Sequence, residues 1–163
     1  MTDAGRHPRI KLYTLSEVVD VKGCVGNFDV KILKKARYVD EKECTACGDC
    51  AQACPVVRAD EFNHGLSSRK AIYSPFPQAV PSAYVININE CLGNNPAVCT
   101  KCVDACDKKC INFHMSDEEI HENVGAIVVA TGLEPYDPTE MDEYGYTRFE
   151  NVLTSLEFER LVN

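Results

Sequence analysis

The sequence predicts an α+β fold in three parts: a β-structured entry, a cysteine-rich middle block, and an exit that runs strand, loop, helix. Three observations predict it. Short runs between Ile10 and Ile32 alternate apolar and polar residues. Eight of the ten cysteines fall between Cys44 and Cys106. A continuous small and β-branched run, Val124 to Ala130, follows, and a helical pattern opens at Thr154.

The entry reads as a β-meander over residues 1–36. Ile10-Lys11-Leu12-Tyr13 alternates as a half-buried strand does, Val18 to Lys22 follows, Gly26-Asn27 makes a turn, and Phe28 to Ile32 alternates again. Within the middle block, residues 37–113, two strand-like segments, Arg37-Tyr38-Val39 and Ala83-Tyr84-Val85-Ile86, each precede a cysteine run. In the exit, residues 114–163, Val124 to Ala130 fits a strand buried on both faces of a parallel sheet. It ends at Thr131-Gly132, and Pro135 and Pro138 mark an irregular stretch. Thr154 and Glu157 form a capping box for a closing helix, with Leu156, Arg160 and Leu161 at helical spacing. That helix meets no stop signal, which fits either a frayed end or a chain cut from something longer.

Composition narrows the class. The 163 residues are 45% hydrophobic and 26% charged, ordinary usage for a packed chain. The net charge of −8 argues against a nucleic-acid or anionic-membrane surface. Charge is uneven: residues 1–43 hold nine Lys/Arg and seven acids, residues 114–163 two Arg and twelve acids. No apolar run approaches the ~20 residues of a membrane span. Met1 to Lys11 is too polar for a signal peptide, so a cytoplasmic location is expected. In that compartment ten cysteines are expected as metal ligands rather than disulfides.

Cys44-x2-Cys47-x2-Cys50-x3-Cys54-Pro55 is the most specific signal. A 4Fe–4S cluster takes one thiolate on each of four irons. Three cysteines spaced by two wrap one cube, and the fourth, expected at the start of a helix, serves the neighbouring cluster of a two-cluster ferredoxin. Cys91-x7-Cys99-x2-Cys102-x3-Cys106 is a looser copy whose first gap, through Asn94-Asn95-Pro96, reads as an enlarged loop. The two copies make a pseudo-twofold repeat. The expected pairing crosses over: Cys44, Cys47, Cys50 and Cys106 hold one cluster; Cys91, Cys99, Cys102 and Cys54 hold the other. Structural zinc is the alternative, but it would leave a closely spaced cysteine over in each copy. Cys24 and Cys110 fit neither motif and read as small packing residues. Asp107 stands after Cys106 where the first copy has proline. Lys101, Lys108 and Lys109 form a small basic group, either solvated or able to dock an acidic ferredoxin.

No other residues point to chemistry. His7, His64, His114 and His121 lack ligand spacing and read as surface residues; the acidic runs 117–119 and 140–143 read as solvated faces. No catalytic residue is expected.

The chain resembles an internal segment of the A subunit of heterodisulfide reductase over residues 5–163. The resemblance rests on Gly5-Arg6-His7-Pro8, Ser16-Glu17-Val18, Val25-Gly26-Asn27-Phe28, the Cys44 to Pro55 motif, and Lys70-Ala71-Ile72-Tyr73. Pro75-Phe76-Pro77-Gln78-Ala79-Val80-Pro81, Val124 to Gly132, and Thr154 to Arg160 complete it. It implies a thioredoxin-reductase-like FAD domain into which a ferredoxin domain is inserted. Residues 1–36 and 114–163 are then partial FAD-domain pieces, with Val18 on the adenine side and the Ala130-Thr131-Gly132 turn near the flavin. It also implies flavin-based electron bifurcation in methanogenesis, with soluble ferredoxin as the low-potential acceptor. The implied partners are the remainder of the polypeptide, the B and C subunits, and a hydrogenase or formate dehydrogenase acting through an iron–sulfur linker protein. No Gly-x-Gly-x-x-Gly is present, so the pyrophosphate cradle is missing and FAD is expected only in the full-length polypeptide. The rival readings are a self-standing carrier with two 4Fe–4S clusters and a zinc-stabilised assembly module.

Overall fold

The computed structural model describes residues 2–93 and 98–162, so the Asn94-Asn95-Pro96 portion of the expected enlarged loop lies outside the described residues. In chain order the elements are helix α1 (Thr2–Arg6), strands β1 (Ser16–Cys24) and β2 (Asn27–Lys34), helix α2 (Asp49–Ala53), and the two-residue strands β3 (Arg58–Ala59), β4 (Ser68–Arg69), β5 (Ile72–Tyr73) and β6 (Val85–Ile86). Helix α3 (Lys101–Asp104), strand β7 (Glu118–Val124), two 3₁₀ turns (Pro138–Glu140 and Asp142–Tyr144) and helix α4 (Ser155–Val162) follow. The chain divides into two compact units. One is formed by residues up to Arg58 with Arg69–Ile127, the other by Ala59–Ser68 with the residues from Val128 on.

The entry is a hairpin rather than a three-stranded meander. β1 and β2 pair antiparallel from Ser16↔Lys34 to Cys24↔Asn27, closed by Val25-Gly26 with Gly26 at φ 91°. Just before that turn, Gly23 has φ 103°, and a Cβ there would lie 2.2 Å from the Asn27 carbonyl oxygen, so only glycine fits. The expected strand at Ile10–Tyr13 does not form. Ile10 and Leu12 stay about half exposed, at 48% and 49%, so burial does not reward the alternation. Its polar residues are held by side chains instead: Lys11 Nζ and Tyr13 Oη both bond Glu122.

The third strand of the sheet arrives after the cysteine block. β7 pairs antiparallel with β2 from Phe28↔Val124 to Lys34↔Glu118, giving the order β1-β2-β7. The Gly26 amide donates to the Gly125 carbonyl at 2.8 Å, and the Ala36 amide donates to the Asp117 carboxylate at 2.8 Å. Both ends of residues 35–117 therefore meet at one rung of the ladder. This corrects the buried parallel strand expected over Val124–Ala130: the strand lies earlier and is antiparallel. Beyond Gly125 the backbone pairs with no strand among the described residues, and Val128 and Val129 are 90% and 78% exposed.

The cysteine block folds about its pseudo-twofold. Val39 bridges Ile111, in the segment after the second motif, while β6 pairs with β5, in the segment after the first. Each lead-in strand thus pairs with the exit of the other motif, and α2 packs on α3. The core at this junction joins Val39, Val56, Ala71, Ile72, Ile86 and Ile111 with Cys50, Cys54, Cys102 and Cys110. Val39 and Ile72 are buried to 2% and 1% exposure, each contributing about 1.5–3 kcal/mol.

In the second unit the capping box forms as expected. The Thr154 amide donates to Glu157 Oε2 at 2.6 Å and the Glu157 amide to Thr154 Oγ1 at 3.2 Å. Tyr146 Oη donates to Glu157 Oε1 at 2.6 Å, and Asn63 Nδ2 and Ser67 Oγ donate to Asp60 Oδ2 at 2.8 and 3.1 Å. Among the described residues no helix is long and apolar enough to cross a membrane.

Candidate metal centre

Each cysteine motif is delivered by the same short device. Asp40 Oδ1 accepts the amides of Lys42 (2.8 Å) and Glu43 (3.4 Å), and its carbonyl accepts the Cys44 amide at 3.0 Å. Asn87 stands in the equivalent place. Its Oδ1 accepts the Asn89 amide at 3.2 Å and its carbonyl the Glu90 amide at 3.2 Å, which turns the chain into Cys91. From Cys44 the loop doubles back sharply: Ala46 and Gly48 both have positive φ, 55° and 97°, before α2 begins. Cys50 and Cys102 lie inside the two short helices and are buried. Cys54 is the C-terminal cap of α2 and Cys106 follows α3 by two residues. The fourth cysteine of each motif therefore leaves a helix end; it does not open a helix as expected from spacing.

The thiols surround two hollows. The first, about 120 Å³, is lined by Cys44, Cys47, Cys50, Cys106 and Cys110, with Tyr84 as a wall. The second is smaller, about 20 Å³, and is lined by Cys54, Cys91, Cys99 and Cys102, with Ala71 and Ile72. Cys106 lines the hollow of the first motif and Cys54 that of the second. Among the described residues no three Cys, His, Asp or Glu side chains converge on a single-ion site. The sulfurs stand around a space instead, and that donor set fits a polynuclear iron–sulfur group, soft thiolates on several irons, better than one small ion.

The electrostatics are those of crowded, half-desolvated thiols. Burial pushes Cys50 up to about 12, against the Ala51 amide and with Cys44, Cys47 and Cys102 adding to it. Burial pushes Cys102 up to about 11, with Cys91 and Cys54 among its neighbours. Cys50 and Cys102 share one buried core, which places the two thiol sets next to one another. Burial pushes Cys106 up too, but the amides of Cys110, Lys108 and Lys109 and the Cys110 side chain outweigh it and hold Cys106 below the ordinary thiol value. Iron binding must expel the protons that the raised thiols hold.

The second motif is braced from outside. Arg69, only 5% exposed in its side chain, bonds Glu90 Oε2 at 2.8 Å, donates to the Lys70 carbonyl at 3.1 Å, and lies 4.1 Å over the Tyr73 ring. Glu90 immediately precedes Cys91. Gly93 donates its amide to Cys91 Sγ at 3.3 Å, and a Cβ there would meet the Cys99 carbonyl oxygen at 2.9 Å.

Of the two packing assignments, one changes. Cys110, expected to pack, is buried in the core as expected and also walls the first hollow, its Sγ 3.5 Å from that of Cys106. Its spacing of four from Cys106 was a signal available in the sequence. Cys24, also read as filler, is exposed at the hairpin end. Tyr84 was missed as a site residue because nothing local marks it; the fold brings its hydroxyl over Gly48. The four histidines are exposed or nearly so, as expected. Of the flavin candidates, Val18 is 62% exposed in β1, whereas Ala130, Thr131 and Gly132 are exposed coil in the other unit. The largest cavity described, about 330 Å³, holds no thiol, and its Lys34 and Lys35 are paired with Glu41 and Glu17.

A model of the 4Fe-4S binding domain matches residues 37–57. The whole chain is 52% identical to the second of the A-type iron–sulfur subunits of CoB–CoM heterodisulfide reductase in Methanopyrus kandleri, covering 24% of that protein. It is 46% identical, over all 163 residues and 24% of the relative, to the A subunit of the H(2):CoB-CoM heterodisulfide,ferredoxin reductase of Methanothermobacter marburgensis. Against the A subunit of the ferredoxin:CoB-CoM heterodisulfide reductase of Methanosarcina acetivorans it is 46% identical over 162 residues, 20% of that protein. The chain spans about a quarter of the length of the curated relatives it matches.

Proposed function

We propose that this chain, homologous along its whole length to a segment of the A subunit of heterodisulfide reductase, is an iron–sulfur electron-transfer module of such an oxidoreductase. The observation that carries the reading is the pair of thiol-lined hollows, each completed by a cysteine from the other motif. Bound there, two 4Fe–4S clusters would each accept and release single electrons. The chain's own residues wrap, desolvate and hydrogen-bond the sulfurs: Cys44, Cys47, Cys50 and Cys106 at the first, Cys91, Cys99, Cys102 and Cys54 at the second.

The ladder contact of Lys34 with Glu118 supports reading residues 37–113 as a domain inserted into a β-sheet of the FAD domain. The flavin itself belongs to the full-length polypeptide, with Val18 and the Ala130-Thr131-Gly132 turn as this chain's contributions. In that setting the module relays electrons between FAD and soluble ferredoxin during bifurcation. The B and C subunits take the other branch, and a hydrogenase or formate dehydrogenase supplies electrons through a linker protein.

The test is iron and acid-labile sulfide on protein purified without oxygen, with electron paramagnetic resonance of the reduced form. About eight of each per chain is expected. Cys54→Ala should perturb the signal that Cys99→Ala perturbs, and leave the one that Cys47→Ala perturbs. A colourless protein carrying zinc, or a Cys54→Ala variant that alters the Cys47 signal, would overturn the reading.

A further inference from the structure

The two hollows are twins with one inequality. The Asp40 amide donates to the Cys110 carbonyl at 2.7 Å, and the Asn87 amide donates to the Ala71 carbonyl at 2.8 Å. Asp40 precedes Cys44 by four residues as Asn87 precedes Cys91, and Cys50 precedes Cys54 by four as Cys102 precedes Cys106. The twofold equivalent of Cys110 is therefore Ala71, a residue 1% exposed on the wall of the second hollow. The second hollow is served by four sulfurs; the first has five. A four-iron cluster uses four.

The fifth sulfur is close enough to matter. Cys110 is 7% exposed, its Sγ lies 3.5 Å from Cys106 Sγ, and it lines the first hollow together with Cys44. Cys106 sits past the end of α3, its amide donating to the Val103 carbonyl at 3.2 Å, and the Lys109 amide closes the following turn on the Cys106 carbonyl at 3.0 Å. The two thiols face one hollow from the two ends of a single short turn.

We propose that Cys106 and Cys110 are interchangeable ligands for one iron of the first cluster. In the exchange a Cys110 sulfur–iron bond forms and the Cys106 sulfur–iron bond breaks. The proton leaving Cys110 passes to the released Cys106 sulfur, so charge and oxidation state are unchanged and no outside reagent is needed. The second cluster, with Ala71 in the equivalent place, has no such option. This inference rests on the two-cluster reading above.

The test compares Cys106→Ala, Cys110→Ala and the double variant in protein purified without oxygen, by iron content and electron paramagnetic resonance. Each single variant is expected to keep about eight irons and a four-iron signal from the first cluster. The double variant is expected to lose that signal or degrade to a three-iron form. The second cluster's signal, unchanged in all three, reports that the fold survives; alanine at 110 is what the twin position already carries. If Cys106→Ala alone behaves like the double variant, Cys106 is the sole ligand and the exchange is refuted. If Cys110→Ala alone does so, Cys110 is the sole ligand and the exchange is equally refuted. Unmodified protein with about four irons would instead strike at the two-cluster reading itself.

Discussion

Replacing Glu90 with alanine isolates the brace behind the second motif. Glu90 pairs at 2.8 Å with Arg69, whose side chain is 5% exposed. Removing the carboxylate takes the 2.8 Å ion-pair partner away from a guanidinium that also packs on the Tyr73 ring and donates to the Lys70 carbonyl. Breaking a buried pair from one side costs about 3–5 kcal/mol. With a urea dependence of about 2 kcal/mol per molar, that lowers the unfolding midpoint by about 2 M. The control is Glu119→Ala. Glu119 pairs with Lys31 at the same 2.8 Å, but the two side chains are 59% and 32% exposed, and such pairs contribute about 0–1 kcal/mol. Equal distances, unequal burial and a several-fold difference in effect are therefore expected. The assay is urea titration without oxygen, followed by circular dichroism and by visible absorbance. Midpoints are compared directly, because a cofactor-bound protein does not unfold in two states. Equal, small shifts for both variants would refute the assignment of Arg69–Glu90 as a buried structural pair.

Other outcomes follow from single contacts. Gly93→Ala places a methyl 2.9 Å from the Cys99 carbonyl oxygen and 3.4 Å from Cys91 Sγ. The forced shift, about 1–3 kcal/mol, should fall on the second cluster alone, seen as faster bleaching of its signal in air while the first is unaffected. In α4, Thr154→Ala should cost about 1 kcal/mol, read as about fivefold faster amide exchange in the first helical turn. Burial pushes Glu157 up, but Tyr146 and Thr154 outweigh it and hold its carboxyl below its ordinary 4.5. Its support of α4 is thus complete above 4.5 and is lost as pH falls through the lower folded value. Amide exchange in α4 should speed up across that acid range in the parent protein, and Glu157→Gln should abolish the dependence.

The candidate site was legible wherever a residue type and a short spacing suffice. Three thiols spaced by two, and a fourth four residues on, are the local pattern behind the proposed crossing arrangement, in which helix geometry carries the fourth away from its own loop. The capping box at Thr154 is local in the same sense. What failed was everything that depends on a neighbour. Ile10–Tyr13 and Val124–Ala130 carry strand-like patterns, but a strand needs a pairing edge, and the described chain offers none to Ile10–Tyr13 or to the residues past Gly125. Tyr84 became a site residue only through the fold, which sets residue 84 over residue 48. A repeat recognised in sequence, but broken by unequal loops, hides which positions are twins.

The rung that joins Lys34 to Glu118 has a consequence for folding. It closes a loop on the order of 80 residues, and fixing the ends of such a loop removes chain entropy equivalent to about 4 kcal/mol. Once β2 and β7 zip, the intervening segment folds as a tethered ring whose ends no longer need to find one another. The cooperation runs both ways: a cluster-loaded ring holds its two stems side by side and raises the local concentration of β7 at the edge of β2. Assembly of the iron–sulfur centres and closure of the outer sheet are therefore steps of one thermodynamic cycle. Loss of iron should loosen a ladder that contains no cysteine ligand at all.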